Sequence, residues 1–424
     1  MKFRKVSALL LAGAMCAATV VGCGKTSSTS GTSSNDDTKA AEDEEITATI
    51  TVWGPAEDQS IDNGEWLQNM CKKFNDEHPK WNLTFKYGTC SEKDAGSTVS
   101  ADPSASADVY MYANDQLQTL IDAGAISKLG GSALETVKEN NSEAILKTVS
   151  IGDDVYGVPF TGNTWFLFYN KDIFTADDVK NLDTMLSKGK VSFKLTDSWY
   201  IGSFYIGNGC TVFGADGTDE SAGIDLTGDK ATDVTKYLVD LAANPNFVND
   251  ADSAGITGFN DGTVGAFFSG TWDMSNIKLD KSKVGVVAAP TYTLNGKENQ
   301  IKAFAGSKAI GVNPNCKYPQ VAVALALYLG SDDAQVSRYE ARGIIPCNIG
   351  AASSDKVVAD EMAVAQNDTM NNKSVMQPTF KGMSNWWTPA ENMGKSIIAG
   401  ETTKDNAADK TAEFNEGANN GIVK

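Results

Sequence analysis

The chain has 424 residues, 41% of them hydrophobic, with 54 acidic side chains against 36 basic ones and a formal charge of −18. Hydrophobic content at this level is ample for a packed globular body. The charge argues against nucleic acid, whose phosphates need Lys and Arg, and against adsorption to anionic lipid; the plain reading of the acidity is solubility. One histidine, His78 at the end of a helical stretch and expected to be exposed, leaves no basis for a His-rich metal site or a Ser-His-Asp triad.

The amino terminus reads Lys2, Arg4, Lys5, then an apolar run over Val6–Val21, then Gly22-Cys23-Gly24. A basic start, a short apolar core and small residues before a cut site make a signal peptide over residues 1–22. The cysteine directly after VVG fits a lipobox, with cleavage before Cys23 and lipid on its sulfur, although Val stands where Leu is commoner. Acyl chains hold a protein at a membrane surface without a spanning helix. From Lys25 to Glu45 the chain continues as KTSSTSGTSSNDDTKAAEDEE, with no aromatic residue, and residues 23–45 cannot bury enough surface to offset their chain entropy. They read as a disordered tether. The expected location is therefore the extracellular face of the cell membrane, reached through the lipid alone.

The body beyond residue 45 exceeds what one core usually supports, so two lobes are expected. Ile46–Trp53 alternates and is rich in β-branched residues, a strand stopped by Gly54-Pro55. Ile61, Trp66, Leu67, Met70 and Phe74 follow at helical spacing, ended by Pro79. Asn82–Tyr87 and Ala107–Tyr112 are further strands, and Gln116–Gly124 is a helix. Strand, helix, strand, helix, strand implies a parallel sheet, whose ligands bind beyond the carboxyl ends of its strands. Those ends carry Trp53 to Asp58, Gly88, and Tyr112 to Asp115. At Asp153–Phe174 the chain leaves one lobe for the other, and Ile301–Asn315 reads as an extended segment crossing back. More than one crossing makes a stiff but bendable hinge. The run VAVALALYL is too short to span a bilayer and reads as a buried helix.

Eight tryptophans are the most informative feature. Trp66 and Trp81 read as core. Trp53, Trp165, Trp199, Trp272 and the pair Trp386-Trp387 lie at element ends among Gly, Asn, Asp, Ser and Thr. Sugar rings pack a flat C–H face on such aromatics, while carboxylates and amides bond the hydroxyls at the ring edge. Five cysteines remain in the body. Cys71 with Cys90, or Cys316 with Cys347, can bridge outside the cell, but the spacing settles neither and includes no metal pattern. Ala215–Asp225 has spaced acids without the full calcium-loop pattern, and a solvated loop is the simpler reading. No cofactor and no metal is called for.

TVWGPAEDQ, DVYMYANDQ, YGVPFTGNTWFLFYNKDIF, SGTWDMSNI, FAGSKAIGVNP and MSNWWTPAENMGK form an ordered series. The series resembles the extracellular solute-binding proteins of sugar importers, the group that includes maltose-binding protein, over about residues 46–420. The resemblance implies an α/β, two-lobed periplasmic-binding-protein-like fold. Each lobe would be a mixed, mostly parallel sheet flanked by helices, with a multi-segment hinge: 46–161 plus 310–358 as one lobe, 166–304 plus 362–424 as the other. It implies Glu57 and Asp58 as hydroxyl acceptors, Tyr112 as a stacking aromatic and Asp115 as a carboxylate. Trp199 or Tyr200, Trp272 and Trp387 match the second lobe's aromatic positions, with Trp386 exchangeable for Trp387 by a one-residue shift. Asn163 lies where maltose-binding protein has an acid, Gln116 replaces an arginine, and Trp165 lacks a family equivalent and offers an extra platform. The implied function is capture of an oligosaccharide, best a maltodextrin, by a monomer that delivers it to the permease subunits of an ABC importer. The rival readings are a secreted glycoside hydrolase, which needs two carboxylates facing across a glycosidic bond, and a non-transport carbohydrate-binding surface protein. The repeated βα units of a barrel hydrolase are absent.

Overall fold

The computed structural model describes residues 44–420. The signal peptide, Cys23 and all of the tether but its last two residues lie outside the described residues.

Two sheets organise the body. Strand β1 (Ile46–Gly54) buries Ile46, Ala48, Ile50 and Val52 on alternate positions, as its sequence pattern expects. It pairs in parallel with β2 (Trp81–Thr89), from Ile46 opposite Trp81 to Gly54 opposite Thr89, and with β3 (Val109–Ala113) at Val52 opposite Val109. The connecting helix begins later than its apolar spacing suggests, at Trp66–Glu77. Gly64 and Glu65 both take positive φ, 75° and 49°, which no α-helix accommodates. Ile61 is thereby stranded in a separate short turn, 81% exposed.

Strands β4 (Val158–Asn163) and β5 (Phe166–Asn170) lie in different sheets although two residues separate them. The second sheet runs through β6 (Val191–Phe193), β7 (Phe247–Asn249), β8 (Ala266–Ser269) and β9 (Val284–Val287), in the order β7-β6-β8-β5-β9. Here β6, β7 and β8 are mutually parallel, β5 is antiparallel to β8, and β9 pairs antiparallel with β5. The chain returns along β10 (Ala303–Val312), the expected crossing segment. One strand serves both cores: Ala303 and Phe304 pack with the second sheet's residues, and Ala309, Ile310 and Val312 with the first sheet's. β10 pairs antiparallel with β3 and β4 and parallel with β11 (Ser374–Met376).

The two large apolar clusters follow this division, so the fold is α/β and two-lobed. Pro319–Leu329 is the buried helix expected from VAVALALYL. Among the described residues no helix is long and apolar enough to cross a membrane. Ile345 and Val357 pack with Phe166, Phe168 and Phe267 on the far face of the second sheet. His78 is half-buried rather than exposed, because its ring stacks on Trp81 at 4.3 Å and 16°. Trp66 and Trp81 are core residues.

Candidate functional site

The carboxyl ends of β1, β2 and β3 form one wall. Gln59 ties two of them, its amide donating to Gly54 O at 2.9 Å and Gly88 O at 3.1 Å. Trp53 lies half-buried across Gly88, where any side chain would collide with the indole. Glu57 is exposed at the rim. Its neighbour Asp58 is not a free acceptor: the short turn Ala56–Asp58 points it inward, where it is 0% exposed and paired with Arg338 at 2.9 Å and with Arg342. Tyr112 is also misplaced by the sequence reading. β3 is covered on both faces, so alternation does not send Tyr112 to solvent; it is fully buried, with a hydroxyl that has no hydrogen-bond partner among the described residues. Asp115 lies in the middle of the turn Asn114–Gln116 after β3 and is open to solvent. Protein nevertheless crowds it, and desolvation raises its pKa, partly offset by a hydrogen bond from Gln116. Asn163 is half-buried at the end of β4, opposite Gly306 of β10.

The other wall is aromatic. Beyond β6, Asp197 caps the helix Ser198–Gly207 by accepting from Trp199 N at 2.8 Å, which fixes Trp199 at the helix's first turn. Beyond the parallel strand β8, the turn Thr271–Asn276 presents Trp272, 44% exposed. The Trp199 and Trp272 rings meet at 6.1 Å between centroids, tilted by 45°. Ser269 supports the turn by donating to Asp273 at 2.5 Å. Tyr200 and Trp165 lie in the core, stacked at 5.1 Å and 13°. Phe193 and Phe268 close on the Trp165 ring edge-on, so it offers no platform of its own.

The ambiguity between the adjacent tryptophans resolves by burial. On the helix Ser384–Ile398, Trp386 is fully buried, its indole N–H donating to Ser198 O at 2.9 Å, whereas Trp387 is half-buried. Trp387 lines a groove of about 570 Å³ opposite Asp115 and Gln116, with Phe380, Lys381 and Ser384. Trp53, Glu57, Asp115 and Asn163 thus stay accessible on or beside the first wall, and Trp199, Trp272 and Trp387 on the second. Asp58, Tyr112, Trp165, Tyr200 and Trp386 are buried.

Sequence reasoning missed Gln377, whose Oε1 accepts from the Trp199 indole N–H at 2.9 Å. It also missed Arg338, although the chain has only three arginines and two of them share one helix. The five body cysteines are all unpaired, so neither candidate disulfide forms. Among the described residues no cluster of His, Cys, Asp or Glu is arranged to hold a metal. Three of the four acids of Ala215–Asp225 are engaged by other side chains: Asp216 by Thr218 and Lys147, Asp219 by Ser221, Asp225 by Thr227 and Lys230.

Residues 69–365 match the model of the bacterial extracellular solute-binding protein family. The chain belongs to that family. It is a binding protein of the kind that serves ABC importers, not an enzyme, and the hydrolase reading ends here. A structure solved with acarbose is 50% identical, covers 89% of this chain and 100% of its own, and superposes with a TM-score of 0.81. The maltodextrin-binding protein MdxE of Bacillus subtilis (strain 168) is 27% identical over 71% of this chain and 78% of its own length. The galactooligosaccharide-binding protein of the same organism is 24% identical over 73% and 76%.

Proposed function

We propose that this solute-binding protein captures a glucose-based oligosaccharide, a maltodextrin, between its two lobes and hands it to the permease subunits of an ABC importer. The observation that carries the reading is the Trp199–Trp272 pair, 6.1 Å apart beyond the carboxyl ends of two parallel strands. Two tilted rings at that spacing suit successive sugar units of a curved chain, and Trp387 extends the surface along the groove. Glu57, Asp115 and Asn163 serve the hydroxyls. The 50% identity to a structure solved with acarbose, an analogue of a short glucose oligosaccharide, supports the ligand class, as does the maltodextrin-binding relative.

Binding needs no chemistry. Aromatic stacking and charge-assisted hydrogen bonds strengthen as closure expels water. Micromolar capture requires about −8 kcal/mol in all, within reach of three stacked rings and a few such bonds. The importer then draws on the closed population. The lobes are proposed as 46–161 plus 310–358 and 166–304 plus 362–424, with Ile345 and Val357 at the seam. The protein acts as a monomer anchored by lipid on Cys23, with residues 24–45 as its tether; Cys23→Ala should release it into the medium.

Tryptophan fluorescence, titrated with malto-, galacto-, xylo- and fructo-oligosaccharides, tests the ligand class. A saturable shift with the malto series is expected. A response confined to the galacto series would reassign the sugar, and silence across the panel from folded protein would end the oligosaccharide reading.

A further inference from the structure

We propose that Gln377 is a ligand-contacting residue of the cleft and also sets the angle of the Trp199 platform. The first role rests on the sugar reading above; the hold on Trp199 does not.

Gln377 follows the carboxyl end of β11, the strand that pairs with the crossing strand β10. Its backbone N–H donates to Ala305 O at 2.7 Å, fixing it to the segment that joins the lobes. Its side chain reaches Trp199, which stands on the second lobe's helix. An indole N–H only donates, so the atom facing it must be the amide oxygen. The amide nitrogen therefore points away from Trp199. It donates to no group among the described residues, yet it is not sealed from solvent. The residue as a whole is buried, so the amide cannot swing freely to another partner.

Half of this amide is spent on the platform, and the other half is a pair of fixed donors beside it. Among the groups at the cleft, Gln116, Asn163 and Lys381 can also donate, but none of them is fixed against a stacking ring as Gln377 is. Glu57 and Asp115 only accept when ionised, and Gln116 stands where the family resemblance places an arginine. A sugar stacked on Trp199 presents hydroxyls at its edge that accept as well as donate. Gln377 supplies a neutral donor at that edge, and it couples the platform's orientation to the crossing strand.

The test uses the protein from residue 24 onward, which retains every described residue, with maltotetraose as probe. Gln377→Glu keeps an acceptor for the indole but loses the donors; Gln377→Leu loses both. Calorimetry gives affinity, and the ¹H–¹⁵N indole resonance of Trp199, assigned with Trp199→Phe, reports the hold. The expected result is a hydrogen-bonded indole resonance in Gln377→Glu with affinity about fivefold weaker, and an upfield-shifted resonance in Gln377→Leu with affinity about twentyfold weaker. Wild-type affinity in Gln377→Glu would overturn the donor role. An unmoved resonance in Gln377→Leu would overturn the hold. If Gln377→Leu does not fold, Gln377→Met gives the same reading. Wild-type protein that binds no malto-oligosaccharide, with the indole resonance still shifted by Gln377→Leu, would sink the sugar reading and the donor role together and leave only the hold.

Discussion

Asp58 and Arg338 meet as a two-point ion pair across 280 residues of chain, Nη2 to Oδ2 at 2.9 Å and Nε to Oδ1 at 3.0 Å. Both side chains are sealed from water. The guanidinium also lies 4.2 Å from the Phe160 ring centroid, and Arg342 adds a second positive charge. A buried carboxylate stripped of its main partner is costly, so Arg338→Met should lower stability by about 3 kcal/mol in urea unfolding. The turn that carries Glu57 loses its anchor in the same variant, so ligand affinity should fall as well.

The pair also sets an acid limit. Burial alone would raise the Asp58 pKa; the charges and hydrogen bonds of Arg338 and Arg342 more than reverse this, leaving it below the ordinary 3.8. A folded pKa below the unfolded one gives stability that is present above the unfolded value and lost as pH falls through the folded value. Unfolding free energy measured downward from about pH 5 should therefore decline, and Asp58→Asn should lack this part of the decline.

Asp115 shifts the other way, raised above 3.8 by desolvation. As a carboxylate it accepts a sugar hydroxyl; protonated, it loses that acceptor. Affinity should be flat near neutral pH and fall in acid, beginning above the ordinary aspartate range. Asp115→Asn should bind more weakly at neutral pH and show a flatter acid limb in a calorimetric pH series.

The tryptophans should separate into two groups. Trp199→Ala and Trp272→Ala should each weaken oligosaccharide binding by about 1–2 kcal/mol, with the larger effect on stability in Trp199, which is the more buried. Trp387→Ala should join them. Trp165→Ala and Trp386→Ala empty the core and should destabilise by about 3–5 kcal/mol. Paired calorimetry and thermal unfolding of the five variants distinguishes the groups.

Free thiols make a further prediction. Burial pushes Cys71, Cys210 and Cys347 up to about 12, and the half-buried Cys316 to about 11. Native protein should react slowly with a thiol reagent, Cys316 first, and unfolded protein should show all five body cysteines reactive. Reductant should leave the melting temperature unchanged.

Local pattern was enough to read the strands and the apolar helix, because β1's alternation and the Val321–Leu329 run each report their own surroundings. It was also enough to expect the crossing at β10. The errors fall where burial is decided by distant residues. Trp165 stands in a polar turn sequence, yet Phe193 and Phe268 close over it from strands far along the chain. Glu57 and Asp58 are adjacent and chemically alike; a short turn sends one to solvent and the other to an arginine no local pattern links to it. Tyr112 is expected as a stacking aromatic from the family resemblance alone, but β3 is central in its sheet and the side chain is buried. Gln377 had no motif at all, since its role exists only once β11 lies beside β10 and Trp199 faces it.

The central claim is that the cleft between the lobes binds a malto-oligosaccharide without altering it. Calorimetric titration of the protein from residue 24 onward with maltotetraose tests this most directly, with the ligand recovered and analysed afterwards. The account predicts one saturable site of about micromolar affinity, a negative heat-capacity change and intact sugar. Absence of heat at several temperatures from folded protein, or recovery of shortened sugar, would contradict it.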